Sequence, residues 1–300
     1  MTKCWSTSDI SKLSDKLAIV TGGNTGLGFQ SALELARAGC HVIITGRDER
    51  KGQDAVRKLI EQVPDAQLEF AILDLTNPDS IDQFACDYIN QYHRLDILLN
   101  NAGVVNLEQL QRTPAGYEMH FATNHLGHFS LTGRLLPAIK NTPKARVVTV
   151  SSGGHKFGEI NVEDIHWQTR QYNRVKAYGD SKLANLLFSQ QLQRYFSKYS
   201  IDAFSLSAHP GLTGTERQQS IGVGGIVSKY LASSVETGVL PQLRACCDDE
   251  CRGGDYLGPR FGIRGAPVKA NPDPRVSSIE LAEKLWELSS DLTGIQYNFD

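Results

Sequence analysis

Long hydrophobic runs are missing from this chain of 300 residues. Its apolar stretches fall far short of the roughly 20 residues that span a bilayer. The opening Met1-Thr-Lys-Cys-Trp-Ser-Thr-Ser lacks the apolar core of a signal peptide. Charge of one sign is also nearly absent: 31 basic residues against 33 acidic ones leave a net −2, with no like-charged run. Binding to nucleic acid or to an anionic membrane surface needs concentrated positive charge, so neither is expected. Cysteine is sparse. Its six positions (Cys4, Cys40, Cys86, Cys246, Cys247, Cys251) show no disulfide rhythm. Cys246-Cys-Asp-Asp-Glu-Cys251 has no second ligand pair at zinc spacing, so we expect reduced cytoplasmic thiols and no metal. Repeats and low-complexity segments are absent too. A content of 40% hydrophobic and 21% charged residues, at 33.0 kDa and a mean hydropathy of -0.29, describes an ordinary globular chain.

What is present is alternation. Short β-branched runs read as strands at Leu17–Thr21, His41–Thr45, Leu68–Leu73, Leu95–Asn100, Ala145–Ser151, Ile201–Ala208 and, more weakly, Gly254–Leu257. Amphipathic stretches between them predict helices at Gly26–Ala38, Glu49–Gln62, Pro78–Tyr92, Tyr117–Ile139, Lys176–Lys198 and Val227–Cys246. A last helix, Ser277–Ser290, follows a segment bearing Pro267, Pro272 and Pro274. No linker divides the first 250 residues. Right-handed crossovers then give a doubly wound α/β sheet, with its ligand crevice at the carboxyl ends of the strands.

The chemistry-bearing residues cluster at those ends. The first strand runs into Gly22-Gly23-Asn24-Thr25-Gly26-Leu27-Gly28 and then a helix. Glycine there lets backbone turn tightly and approach a pyrophosphate, whose charge a helix N-terminus stabilises. The second strand ends in Arg47-Asp48. A guanidinium at that place grips the extra phosphate of NADP bidentately, whereas a carboxylate receives the ribose hydroxyls of NAD. NADP is therefore the expected cofactor, preferably as NADPH, with NAD kept open by Asp48. Asp74-Leu75 follows the third strand, Asn100-Asn101-Ala102-Gly103 the fourth and Ser151-Ser152 the fifth. Tyr178 and Lys182 then fall four apart, one turn of helix on one face.

In this order, with Asn124 and Pro210-Gly211, these pieces resemble the short-chain dehydrogenase/reductase family over nearly the whole chain. Asn124-His-Leu-Gly-His128-Phe and Gly253-Gly-Asp-Tyr-Leu-Gly258-Pro look most like the retinol-dehydrogenase and WW-domain-oxidoreductase branch. Protochlorophyllide reductase carries a similar first segment. The membrane-anchoring N-terminus common among the retinol enzymes is not expected. The resemblance implies a Rossmann fold with a seven-stranded, mostly parallel sheet flanked by helices. It implies one NAD(P)-binding domain over 1–300, of which 258–300 is a C-terminal extension.

The implied activity is hydride transfer between NADP(H) and a small hydrophobic aldehyde, ketone or alcohol, retinoid-like substrates included. Tyr178 would be the acid/base. Lys182 would lower its pKa and hold the nicotinamide ribose, Ser152 (rather than Ser151) would bind the substrate oxygen, and Asn124 would orient a water feeding protons to Lys182. Gly22, Asn24, Thr25, Gly26, Leu27, Gly28, Arg47, Asp74, Leu75, Asn101, Ala102, Gly103, Tyr178 and Lys182 would line the cofactor. Pro210, Gly211, Thr213 and Thr215 resemble the loop that holds the nicotinamide carboxamide. Gly153–Asn173 reads as a wall of the substrate pocket, or as core packing for Phe157 and Trp167. Ile221–Ile226 reads as a mobile lid or a plain surface loop. His125, His128 and His209 read as packed, hydrogen-bonded residues. Competing readings are a carbon–carbon double-bond reductase of the protochlorophyllide type and a non-catalytic NADP(H)-binding regulator. The expected assembly is a homodimer or a monomer.

Overall fold

The computed structural model describes residues 4–212 and 233–300. Eight strands, β1 (Leu17–Thr21), β2 (His41–Gly46), β3 (Leu68–Ile72), β4 (Ile97–Asn100), β5 (Ala145–Val150), β6 (Ala203–Ala208), β7 (Tyr256–Pro259) and β8 (Pro267–Lys269), form one sheet in the order 3-2-1-4-5-6-7-8. Pairing is parallel from β3 through β7, with Leu17 opposite His41 and Val20 opposite Leu99; only β7–β8 is antiparallel. The expected seven strands therefore become eight. β8 escaped the sequence reading because it is three residues long and opens on Pro267, which an edge strand tolerates since it owes no ladder donor on its outer side.

Both faces of the sheet are covered, which is why β1, β4 and β5 are buried from end to end. Alternation divides each strand. Ala18 and Val20 pack with Leu33 and Leu35 of α1 (Gly26–Arg37) and Leu59 of α2 (Glu49–Gln62). Leu17 and Ile19 face the other way, toward Phe84 of α3 (Pro78–Gln91) and Phe188 of α7 (Arg174–Lys198).

The single helix expected over Tyr117–Ile139 is broken into α4 (Met119–Phe121), a π turn (Ala122–Leu126), α5 (Gly127–Arg134) and α6 (Leu136–Lys140). In the π turn the Gly127 N–H reaches back to the Ala122 carbonyl, one residue farther than in an α-helix. Pro137 begins α6. Of the helix expected over Val227–Cys246, α8 (Val235–Gly238) and α9 (Leu240–Cys247) are seen; residues 227–232 lie outside the described residues. The last helix is α10 (Ile279–Thr293). Among the described residues no helix is long and apolar enough to cross a membrane, and no group of side chains has the makings of a metal site. The six cysteines are free thiols, and burial pushes Cys247 up to about 12 and Cys251 to about 11, values that keep them unreactive.

Candidate active site

Strand order reverses between β1 and β4, and the crevice this opens is where the glycine loop lies. Gly22 has φ +64, and a Cβ on it would stand 3.1 Å from Ala102. At Gly28 a Cβ would fall 2.3 Å from the Gly22 carbonyl oxygen, so α1 can seat on the loop only without a side chain there. The first helical bond of α1 runs from Phe29 N–H to the Thr25 carbonyl. The amides of Gly26, Leu27 and Gly28 precede it, and such first-turn donors have no acceptor inside their own helix. A glycine-rich turn in front of helix-terminal donors suits a pyrophosphate.

Thr21 Oγ1 fastens this crevice. It accepts the amides of Asn101 and Ala102, each at 2.9 Å, and lies 2.9 Å from His128 Nε2. His128 Nδ1 meets the Asn124 carbonyl at 2.9 Å, a contact only an N–H can make, and burial pushes this imidazole down to about 4. His128 is therefore neutral with its proton on Nδ1, and the single Thr21 hydroxyl proton is shared between Nε2 and the Leu99 carbonyl, 3.2 Å away. Asn101 itself donates its side-chain amide to the Thr21 carbonyl at 2.8 Å. Neither Thr21 nor His128 was singled out for this work from sequence. The available signal was a hydroxyl on the last residue of an apolar strand.

At the end of β2, a Cβ on Gly46 would lie 3.4 Å from Asn24 Oδ1, so this strand end abuts the glycine loop. Arg47 is exposed there. Asp48 caps α2, accepting the Lys51 amide at 3.0 Å, so its carboxylate is turned to its own helix. Asp74 Oδ1 accepts both donors of Thr76, and Leu75 is buried where Gly127 of α5 must approach it without a side chain.

Ser152, Tyr178 and Lys182 meet beside β5. Tyr178 and Lys182 lie on α7, whose N-cap, Asn173, accepts the amides of Val175 and Lys176. Lys182 Nζ donates to the Val150 carbonyl at 3.0 Å and lies 5.7 Å from the centre of the Tyr178 ring. Ser151 donates to the Lys182 carbonyl at 2.8 Å and is spent on that bond. Ser152 is the serine that reaches the Tyr178 phenol, while accepting the Gly154 amide at 3.1 Å. Asn124, in the π turn, is held on all sides: Oδ1 accepts the Val104 amide at 2.8 Å, and Nδ2 donates to the Val104 carbonyl at 3.1 Å and to Ser181 at 2.9 Å. Gly103 joins the two groups, for a Cβ there would lie 3.0 Å from Asn124 Oδ1 and 3.6 Å from Lys182 Nζ.

The electrostatics differ from expectation. Burial raises the Tyr178 phenol, and the bond from Ser152 pulls it partly back; burial pushes Lys182 down to about 8. The anticipated lowering of Tyr178 by Lys182 is thus not a property of the chain by itself. Beyond Asn124, Ser152, Tyr178 and Lys182, His120 sets its ring edgewise against Tyr178, centroids 5.9 Å apart, and bonds the buried Glu118 at 2.8 Å.

Pro210 and Gly211 follow β6, with Gly211 at φ +72 packed under the Ile263 carbonyl. Thr213, Thr215 and the Ile221–Ile226 segment lie outside the described residues. In the Gly153–Asn173 stretch, Trp167 is buried beneath the Arg170 guanidinium at 4.0 Å, a core role, whereas Phe157 is exposed. His125 contacts Ser289 at 2.8 Å and His209 stacks on Tyr256, as packed residues do.

A family model described as short chain dehydrogenase matches residues 16–223. Human retinol dehydrogenase 13 is 37% identical over 290 residues, which are 94% of this chain and 85% of that protein. Among solved structures, an uncharacterized protein from Mycobacterium paratuberculosis has a TM-score of 0.84 at 35% identity, covering 99% of this chain and 100% of the other. A short chain dehydrogenase from Escherichia coli CFT073, solved with NADPH, has a TM-score of 0.66 at 24% identity, covering 83% of this chain and 98% of its own.

Proposed function

The chain belongs to the short chain dehydrogenase family and is an oxidoreductase, and on that premise we propose that it reduces a hydrophobic aldehyde or ketone with NADPH, on one NAD(P)-binding domain. The gathering of Ser152, Tyr178 and Lys182 at the end of β5, on the sheet edge that also carries the glycine-rich loop, carries this reading. The name of the retinol dehydrogenase relative favours an extended apolar substrate. NADPH, when bound, supplies the hydride.

The chain's own residues supply the rest. Gly22–Gly28 and the first-turn amides of α1 hold the pyrophosphate, with Asp74, Leu75, Asn101, Ala102, Gly103, Pro210 and Gly211 lining the cofactor's length. Arg47 takes the additional phosphate, since Asp48 is committed to capping α2. Ser152 donates to the substrate oxygen and stabilises the charge that grows there. Burial keeps the Tyr178 phenol protonated, which suits a proton donor and so the reductive direction. Lys182, with one N–H given to Val150, has donors left for the nicotinamide ribose and for returning a proton to Tyr178.

Titration with NADPH and with NADH, followed by nicotinamide fluorescence, tests this reading, together with turnover of retinal and of alkyl aldehydes. We expect NADPH to bind the more tightly, and Arg47→Asp to shift the NADPH:NADH preference by about tenfold or more toward NADH, the size of one phosphate ion pair. An unchanged ratio would make Arg47 a bystander, and failure to bind either nucleotide would remove the foundation of the proposal.

A further inference from the structure

Ser152 stands at the head of a 3-10 turn, Gly153–Phe157, whose own short bonds, from the Gly154 amide to Ser152 Oγ and from the His155 amide to the Ser152 carbonyl, each at 3.1 Å, do not tie it to the rest of the fold. That tie comes from His155, within the turn, and from Arg275, near the far end of the chain. His155 is buried and bonds at both ring nitrogens: Nδ1 to the Ser152 carbonyl at 2.6 Å, and Nε2 to the Asp273 amide at 3.1 Å. A carbonyl only accepts and a main-chain amide only donates, so His155 is the neutral imidazole with its proton on Nδ1. Arg275 grips the other end of the turn, donating to the Gly158 carbonyl at 2.6 Å and the Lys156 carbonyl at 3.2 Å. Its guanidinium is in turn fixed by both carboxylate oxygens of Asp273. The clamped turn lies against α7, since a Cβ on Gly158 would stand 2.2 Å from the Gly179 backbone, next to Tyr178.

We propose that His155 is a positioning residue for hydride-transfer chemistry, aiming Ser152 at the substrate oxygen by tying it to the Asp273–Arg275 turn of the C-terminal segment. The inference rests on the reading of Ser152 as the residue that holds that oxygen. It assigns to residues 258–300 a part in the reaction. Burial holds the imidazole below its ordinary value, with Lys156 and Arg275 adding to the shift, while the bond to the Ser152 carbonyl and the Asp273 carboxylate favour protonation; His209 is the other titratable ring nearby. A proton added at Nε2 would point a donor at the Asp273 amide and open the tie.

The test compares His155→Leu, which loses both bonds, with His155→Asn, whose amide keeps a donor near the Nδ1 position. For reduction of retinal by NADPH we expect kcat to fall about 10- to 100-fold in His155→Leu, the usual cost of a displaced catalytic group, with the Kd for NADPH changed less than about threefold. His155→Asn should recover part of kcat and lose the decline of wild-type kcat below pH 6.5. Hydrogen exchange of the amides in 153–158 and at Asp273 should quicken in His155→Leu and stay unchanged in α7. Wild-type kcat in His155→Leu, a loss confined to KM, or unchanged exchange in 153–158 would each overturn the proposal. Should His155→Leu fail to fold, Arg275→Met leaves the imidazole in place and must still lower kcat. An inactive wild type would refute the functional reading instead, and the exchange measurement would still decide whether the tie exists.

Discussion

Tyr178 and Ser152 meet at one site, yet the chain holds them by opposite means. Tyr178 shares a helix of 25 residues with Lys182, and its place follows from local geometry, four residues making one turn and a capped N-terminus. Ser152 begins a five-residue turn whose position comes from His155 and Arg275, through partners more than a hundred residues away. The first arrangement is carried by a periodic segment and the second by side chains that happen to meet. A reaction centre built this way has one rigid half and one adjustable half, and substitutions should sort accordingly.

The largest effect belongs to the rigid half. Tyr178→Phe removes the hydroxyl proposed as the proton donor and leaves the helix intact, so turnover should fall by about 10³-fold or more while NADPH affinity stays within a few-fold. Retained turnover would sink the assignment of Tyr178. A smaller effect is expected where the two halves touch. A Cβ on Gly179 would lie 2.7 Å from the Gly158 nitrogen and 2.9 Å from the Gly154 carbonyl, both main-chain atoms that move only if the whole turn moves. Gly179→Ala should therefore lower kcat about 10- to 100-fold, whereas Gly153→Ala, with nothing within 4 Å, should stay within about twofold of wild type. Steady-state kinetics on this matched pair separate displacement of Ser152 from a general dislike of alanine near the site. Equal behaviour would mean that the turn and the helix are not coupled.

The same contrast explains what could be read beforehand. β1 and α2 fall on the expected residues, and α1 misses by one, because buried parallel strands are continuous apolar runs and amphipathic helices repeat at their own period. Asn124, Ser152, Tyr178, Lys182 and the glycine loop come together at one sheet edge, and the strand ends that bring them there were legible. The break at Asn124 was not, since a π turn differs from an α-helix by one residue of hydrogen-bond offset and leaves no mark in apolar spacing. β8 was hidden by its length and by Pro267. The ties made by Thr21, His128 and His155 depend on long-range meetings of single polar atoms, and no periodicity records those.

Buried histidines extend the comparison from catalysis to stability, with the smallest effect on turnover. His125 and His128 lie on the helical side and are pushed down to about 3 and about 4, and His209 on the serine side to about 4, all by burial. Since the folded values lie below the ordinary 6.5, the unfolded chain binds more protons than the folded one between them. Their contribution is complete above pH 6.5 and is lost as pH falls toward 4, by up to about 1.4 kcal/mol per pH unit for each histidine. Urea unfolding at pH 7, 6 and 5 should show this decline. His125→Phe, which keeps an aromatic ring among Phe121, Phe129 and Phe188, should make the slope shallower by about one proton and leave turnover at pH 7 within about twofold. A stability that stays flat from pH 7 to 5 would mean that these imidazoles protonate in the folded chain. The neutral tautomer assigned to His128, and with it the Thr21 bond across the crevice, would then have to be given up.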